Sequence, residues 1–193
     1  MPQADPPKDI LPVLSSLVEW FNDQNVPYVI IGGVAIGLIA QPRQTQDIDA
    51  VVWLDLIDLP ILLSSAARFG FVSRLADPQS FAENSRMVLL THEDTGLSVD
   101  VSCGALPFER EMIERSTEFK LEELVLRVAT PEDLLITKAV AHRGQDLIDI
   151  ENLLTVYPDL DLSRVRYWVK QFADVLEMPE LFTDLDQRLK GRS

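Results

Sequence analysis

One cysteine in 193 residues, Cys103, leaves the chain unable to close an internal disulfide, and a reducing compartment is the natural expectation. Bases are also scarce: 17 Lys and Arg face 31 Asp and Glu, for a formal net charge of −14. Gripping nucleic acid broadly and without regard to sequence needs a basic surface. That class is disfavoured, although a local basic patch at one site is not. Long apolar runs are missing too: the most apolar stretch, residues 28–40, is interrupted by three glycines and is too short to cross a bilayer. The opening MPQADPPKD is polar and proline-rich, without the apolar core of a signal peptide. A cytoplasmic protein with no membrane partner is expected. There are two histidines, His92 and His142. Neither forms a His-Asp partnering pattern with Cys103, so surface or capping roles are expected for the histidines and core packing for the thiol.

What is present is ordinary globular material, 47% hydrophobic and 25% charged, enough for one domain or two small ones. No internal repeat or low-complexity tract interrupts it. The organising stretch is residues 28–53, YVIIGGVAIGLIAQPRQTQDIDAVVW. It reads as a buried strand, a double-glycine turn, a short apolar helix, a polar loop and a second strand that opens Asp47-Ile48-Asp49. Alternate strand side chains share a face, so Asp47 and Asp49 project together while Ile48 turns inward. Two adjacent carboxylates repel unless a positive charge sits between them, and a divalent cation is the usual one. Gly32-Gly33, directly after the apolar run, allows backbone N–H groups to approach a phosphate that any side chain would obstruct.

Ahead of this stretch, residues 9–24 carry apolar positions at helical spacing. Behind it, Asp58-Leu59-Pro60 starts a helix that Gly70 stops, and a short strand follows near 71–73. Residues 77–85 read as loop, with room for one helical turn. Residues 86–91 and 97–103 form a hairpin around His92-Glu93-Asp94-Thr95-Gly96. Its second arm alternates Leu97, Val99 and Val101 with Ser98, Asp100 and Ser102, which places Asp100 on a polar strand face. A short helix at 107–115 and short strands at 118–121 and 124–128 complete an α/β half. From Thr130-Pro131-Glu132-Asp133, an N-cap followed by a first-turn proline, only helices are expected. The division therefore falls between residues 1–129 and 130–193.

Gly32-Gly33 followed by Arg43-x-Thr45-x-Asp47-x-Asp49 resembles the core signature of the DNA polymerase β-like nucleotidyltransferase superfamily. The Gly-Gly pair, in place of Gly-Ser, resembles the branch that holds antibiotic-modifying nucleotidyltransferases and the toxins of type IV (abortive-infection, AbiEii-type) toxin–antitoxin systems. The resemblance implies that superfamily's α/β fold: a mixed sheet flanked by helices, then a C-terminal helical region that closes over the nucleotide. It also implies a third acid from a later strand, and Asp100 matches. A second likeness, to the toxin branch, spans Pro131-Glu132-Asp133-Leu134, Lys138, Arg143, Asp146 and Asp149. Gln145 stands where members of that branch often carry a basic residue.

From the resemblance follows a site. Asp47, Asp49 and Asp100 would hold two Mg²⁺ ions, with Asp100 accepting the proton of the acceptor hydroxyl. Gly32, Gly33, Arg43, Thr45 and Lys138 would position the phosphates of an NTP, and Asp146 or Asp149 would assist the acceptor. The acceptor implied is a tRNA 3′ end or a protein hydroxyl, with a cognate antitoxin as partner, or alternatively a small molecule such as an antibiotic. A silent nucleotide- or partner-binding module is the remaining alternative, and it has no need of three acids. Without the resemblance, each of these residues has a plainer reading: acids at a strand start, a tight turn, a lysine reaching to water beside an apolar helix face, and aspartates capping or decorating a helix.

Overall fold

The structure, a computed structural model, describes residues 10–42, 45 and 47–190. The described residues divide into two compact units, one drawn from 10–38 and 42–129, the other from 39–41 and 130–190.

The first unit opens with helix α1 (Ile10–Asp23), whose buried positions Ile10, Val13, Leu14, Leu17, Val18 and Phe21 recur at helical spacing. Strand β1 (Tyr28–Ile31) runs without a loop into α2 (Gly32–Ile39). The elements that follow are β2 (Asp47–Val52), α3 (Leu59–Ala66) with a 3₁₀ turn at Ala67–Phe69, β3 (Phe71–Ser73) and α4 (Pro78–Ser85). The hairpin is β4 (Met87–His92) and β5 (Ser98–Cys103). It is followed by α5 (Pro107–Arg115), β6 (Thr117–Leu121) and β7 (Leu124–Val128). One mixed sheet takes the order β3-β4-β5-β2-β1-β7-β6. Its middle is mixed because β2 runs antiparallel to β1 but parallel to β5. A parallel pair cannot be joined by a tight turn, and α3, β3, α4 and β4 fill the connection between β2 and β5.

One flank of the core is aromatic. Trp20 and Phe21 of α1 stack at 5.3 Å, and Trp20 also meets Phe71 at 5.4 Å. The indole N–H of the fully buried Trp20 donates to Ser65 Oγ at 2.8 Å, which satisfies the one polar atom a buried tryptophan brings with it.

Residues 77–85, expected as loop with at most one helical turn, contain the two-turn helix α4. The Asp77 carboxylate accepts from Ser80 N–H at 3.0 Å and Pro78 occupies the first turn, both of which are helix-start features. Its only buried residue is Ala82, so no apolar stripe announces it in the sequence. His92 also differs from expectation. It is 4% exposed, packs edge-on against Phe71 at 5.4 Å and pairs its Nδ1 with Thr95 Oγ1 at 3.2 Å. The histidine closes the hairpin from inside.

In the second unit, among the described residues, there are helices and no strands: α6 (Pro131–Ala141), α7 (Gly144–Val156), α8 (Leu162–Val175) and α9 (Pro179–Arg188). Thr130 caps α6 by accepting from Asp133 N–H at 3.3 Å. His142 ends the helix in a left-handed conformation, φ 52°, and meets Asp184 at 3.0 Å. No helix among the described residues is long and apolar enough to cross a membrane.

Candidate active site

The three acids singled out in the sequence come to one face of the sheet. Ile48, Ala50 and Val52 of β2 are buried, whereas Asp47 is exposed and Asp49 half-buried. β5 alternates in the same way, with Val99, Val101 and Cys103 inside and Asp100 half-buried. The parallel register pairs Asp49 directly with Asp100. Partners in register share a face at the inter-strand spacing of about 4.8 Å. The alternation of each strand and the pairing between them therefore place two carboxylates side by side with Asp47 next along the strand.

The turn beside them belongs to the same construction. β1 ends opposite Asp49, in the register pair Ile31–Asp49, and Gly32 follows with φ +68°. A Cβ at Gly32 would lie 1.9 Å from Asp49 Oδ2, 2.7 Å from its Cγ and 2.9 Å from its Cβ. Glycine is thus required on two counts, for the left-handed backbone and for the space that the Asp49 carboxylate fills. Gly33 is buried in the first turn of α2, whose N-terminal N–H groups lack helical partners.

Thr45 Oγ1 lies 3.0 Å from both the backbone oxygen and Oδ1 of Asp47, and its single proton serves one of them at a time. Arg43 lies outside the described residues. Asp100 has a partner that the sequence does not suggest: Arg74, just beyond β3, forms an ion pair with its Oδ1. A lone arginine after a three-residue strand carries no pattern, so only the strand order reveals it. As they stand, no three His, Cys, Asp or Glu side chains among the described residues are gathered closely enough to hold a metal ion. The donor set is nonetheless the right kind: three carboxylates on one face are hard oxygen ligands suited to Mg²⁺. The space kept open at Gly32 for one of them fits that use.

Lys138, Asp146 and Asp149 form a second cluster, wholly within the helical unit. Lys138 Nζ does not reach to water. It is 5% exposed and lies 2.8 Å from Asp146 Oδ1 and 3.0 Å from Asp149 Oδ2, both of these aspartates being buried. Arg143 adds its backbone N–H at 3.1 Å and its Nε at 2.7 Å to Asp146 Oδ2. Burial pushes the Asp146 carboxyl upward, but the hydrogen bonds from Arg143 and Lys138 outweigh it and hold the group down at about 2. Asp146 does cap α7, as the plainer reading has it, but it does so from inside a buried ion cluster. Cys103 is 2% exposed, and burial pushes its thiol up, so it remains a protonated core residue at neutral pH. A cavity of about 300 Å³, bounded by Asn25, Trp53, Asp58 and Ile61 among others, opens at the end of β1 and β2 remote from the acids.

Solved structures of similar fold carry nucleotidyl-transfer names. The lincosamide antibiotic adenylyltransferase LnuA, solved with lincomycin bound, aligns over 79% of this chain and 99% of its own at 16% identity and TM-score 0.54. ANT(2'')-Ia in complex with adenylyl-2''-tobramycin aligns over 85% of this chain and 97% of its own at 14% identity and TM-score 0.57. An antigenic nucleotidyltransferase-like protein from Paracoccidioides brasiliensis aligns over 93% of this chain and 95% of its own at 14% identity and TM-score 0.54. At such identities the likeness is one of fold, and it agrees with the mixed sheet flanked by helices expected from the sequence. No curated protein matches by sequence. The chain belongs to the family described as Nucleotidyltransferase of unknown function (DUF6036), whose model matches residues 10–183. It is a nucleotidyltransferase.

Proposed function

We propose that the protein transfers a nucleoside monophosphate from an NTP to a hydroxyl of a small-molecule acceptor. The observation that carries this reading is the pairing of Asp49 with Asp100 across parallel strands, with the Asp49 carboxylate seated against Gly32. Asp47, Asp49 and Asp100 would hold Mg²⁺, which when bound neutralises triphosphate charge and acidifies the acceptor hydroxyl. Gly32 and Gly33 at the start of α2 would turn backbone N–H groups toward phosphate oxygens, helped by Thr45 and Arg43. The acceptor oxygen forms a bond to the α-phosphorus, the bond from that phosphorus to the bridging oxygen breaks, and pyrophosphate leaves with the electron pair. The acceptor's proton passes to the Asp100 carboxylate.

A small acceptor is favoured by the charge balance of −14, since a polyanionic RNA approaches such a surface against repulsion. The likeness to folds solved with lincomycin or adenylyl-tobramycin supports the same choice. A second reading, a toxin acting on tRNA or protein and held by a cognate antitoxin, is favoured by one observation: Lys138 contacts both Asp146 and Asp149, three of the residues of the toxin likeness.

Each α-³²P-labelled NTP is incubated with Mg²⁺ and, separately, tobramycin- and lincomycin-type compounds, total tRNA, or cell lysate. Label in a small-molecule product that is absent with Asp49→Ala is the expected result. Label in RNA or a protein band would move the assignment to the toxin reading. Unchanged transfer by a folded Asp49→Ala would refute the site.

A further inference from the structure

The ion pair on Asp100 occurs where the proposed chemistry needs a carboxylate. The sheet order β3-β4-β5-β2 places four positions in one row. Arg74 N–H donates to Leu89 O at 2.9 Å, Leu89 pairs with Asp100, and Asp100 pairs with Asp49. From the edge of the sheet, the Arg74 side chain crosses β4 and engages Asp100 Oδ1. Asp100 therefore has a guanidinium on one side and the Asp49 carboxylate on the other. The Arg74 side chain is 33% exposed and that of Asp100 28%, so the pair stands at the protein surface, where water and salt partly screen it.

We propose that Arg74 is the positioning residue of the third carboxylate and its resident counter-ion, so that a divalent cation competes with Arg74 for the charge of Asp100. The inference rests on the nucleotidyl-transfer reading of Asp47, Asp49 and Asp100. Without a cation, two carboxylates in register on neighbouring strands repel, and Arg74 offsets that repulsion from the far side of Asp100. Engagement of Oδ1 alone turns the carboxylate to a fixed orientation and leaves Oδ2 for other partners. Asp100 would offer a cation a carboxylate already partly neutralised, with the like charge of Arg74 behind it. Arg74 thereby tempers affinity for the cation while holding Asp100 in place. A lysine would retain the charge behind Asp100.

The test is Mn²⁺ binding, followed by the loss of the free-ion paramagnetic resonance signal, in the whole protein and without nucleotide. Arg74→Ala and Arg74→Gln are compared with wild type, each checked for fold by circular dichroism. Both are expected to bind Mn²⁺ about tenfold more tightly, with Arg74→Lys close to wild type. In an Asp100→Asn background, where there is no charge to compete for, the effect of Arg74→Ala is expected to shrink to within about twofold. Unchanged or weaker binding by folded Arg74→Ala and Arg74→Gln overturns the inference while leaving the three-acid site standing. An absence of Mn²⁺ binding by wild type and every variant overturns the metal reading itself, and the inference with it.

Discussion

Replacing Gly32 by alanine separates two roles that the structure gives one residue. The first is conformational: φ is +68°, and an L-residue held in the left-handed region costs about 1–2 kcal/mol, partly offset because alanine also restricts the unfolded chain. Gly96 in the hairpin loop calibrates this contribution alone. It has φ +72° and nothing within 4 Å of a built Cβ, so Gly96→Ala is expected to cost about 1 kcal/mol. The second role is steric. At Gly32 the new methyl would lie 1.9 Å from Asp49 Oδ2, and rotating the carboxylate away does not clear it, because Asp49 Cγ at 2.7 Å and Cβ at 2.9 Å are also too close. The backbone of β2, held between β1 and β5, has to move, and overpacking of this kind costs about 1–3 kcal/mol. Gly32→Ala should therefore destabilise the first unit by about 3 kcal/mol, and for a chain of this size the midpoint falls by roughly 9 °C against roughly 3 °C for Gly96→Ala. Trp20 and Trp53 lie in the first unit and Trp168 in the second, so thermal melting by tryptophan fluorescence in a Trp168→Phe background isolates the relevant transition. Combined with Asp49→Ala, which deletes two of the three close atoms, the cost of Gly32→Ala should drop. Equal melting shifts for Gly32→Ala and Gly96→Ala would refute the steric argument.

The buried cluster of the helical unit yields two further expectations. Lys138→Met leaves the Asp146 and Asp149 carboxylates buried without the ammonium they share. Urea denaturation should record a loss of about 3–5 kcal/mol, most of it restored when both aspartates are changed to asparagine in the same chain. The Asp146 carboxyl, held at about 2 against an ordinary 3.8, contributes stability above 3.8. As pH falls from 3.8 to about 2, the unfolded chain takes up the proton that the folded unit refuses, so that contribution fades. The difference in melting temperature between wild type and Asp146→Asn should narrow across this window, and a constant difference would contradict the assignment of the shift to Arg143 and Lys138.

How much of this was legible in the sequence depended on how locally each feature is determined. β1, α2 and β2 follow from an apolar run, a glycine pair and an alternating strand, each readable within a few residues, and the change to helices at Thr130 is announced by its cap. The polar face of Asp100 was readable as well, because Val99 and Val101 flank it. What the sequence could not supply is register. Asp49 and Asp100 lie on strands joined through two helices and two other strands, and a slip of one residue between β2 and β5 would send one carboxylate to the opposite face. The full length of α4, beyond a single turn, is not legible for a different reason: with Ala82 as its only buried residue, it is specified by its cap and proline, which weigh less in a pattern search than a stripe. For Lys138 the sequence leaves a choice between a triphosphate partner, as the resemblance implies, and a side chain reaching for water; the partners that make its burial tolerable, Asp146 and Asp149, lie in the first two turns of the next helix. Arg74 is the clearest case. Its significance comes from three hydrogen-bonded neighbours in a row across the sheet, Leu89, Asp100 and Asp49. No property of the residues around Arg74 in sequence encodes that row. The acids could be found by their spacing because they share strands with apolar markers, whereas the cation that opposes them reaches the site from the edge of the sheet.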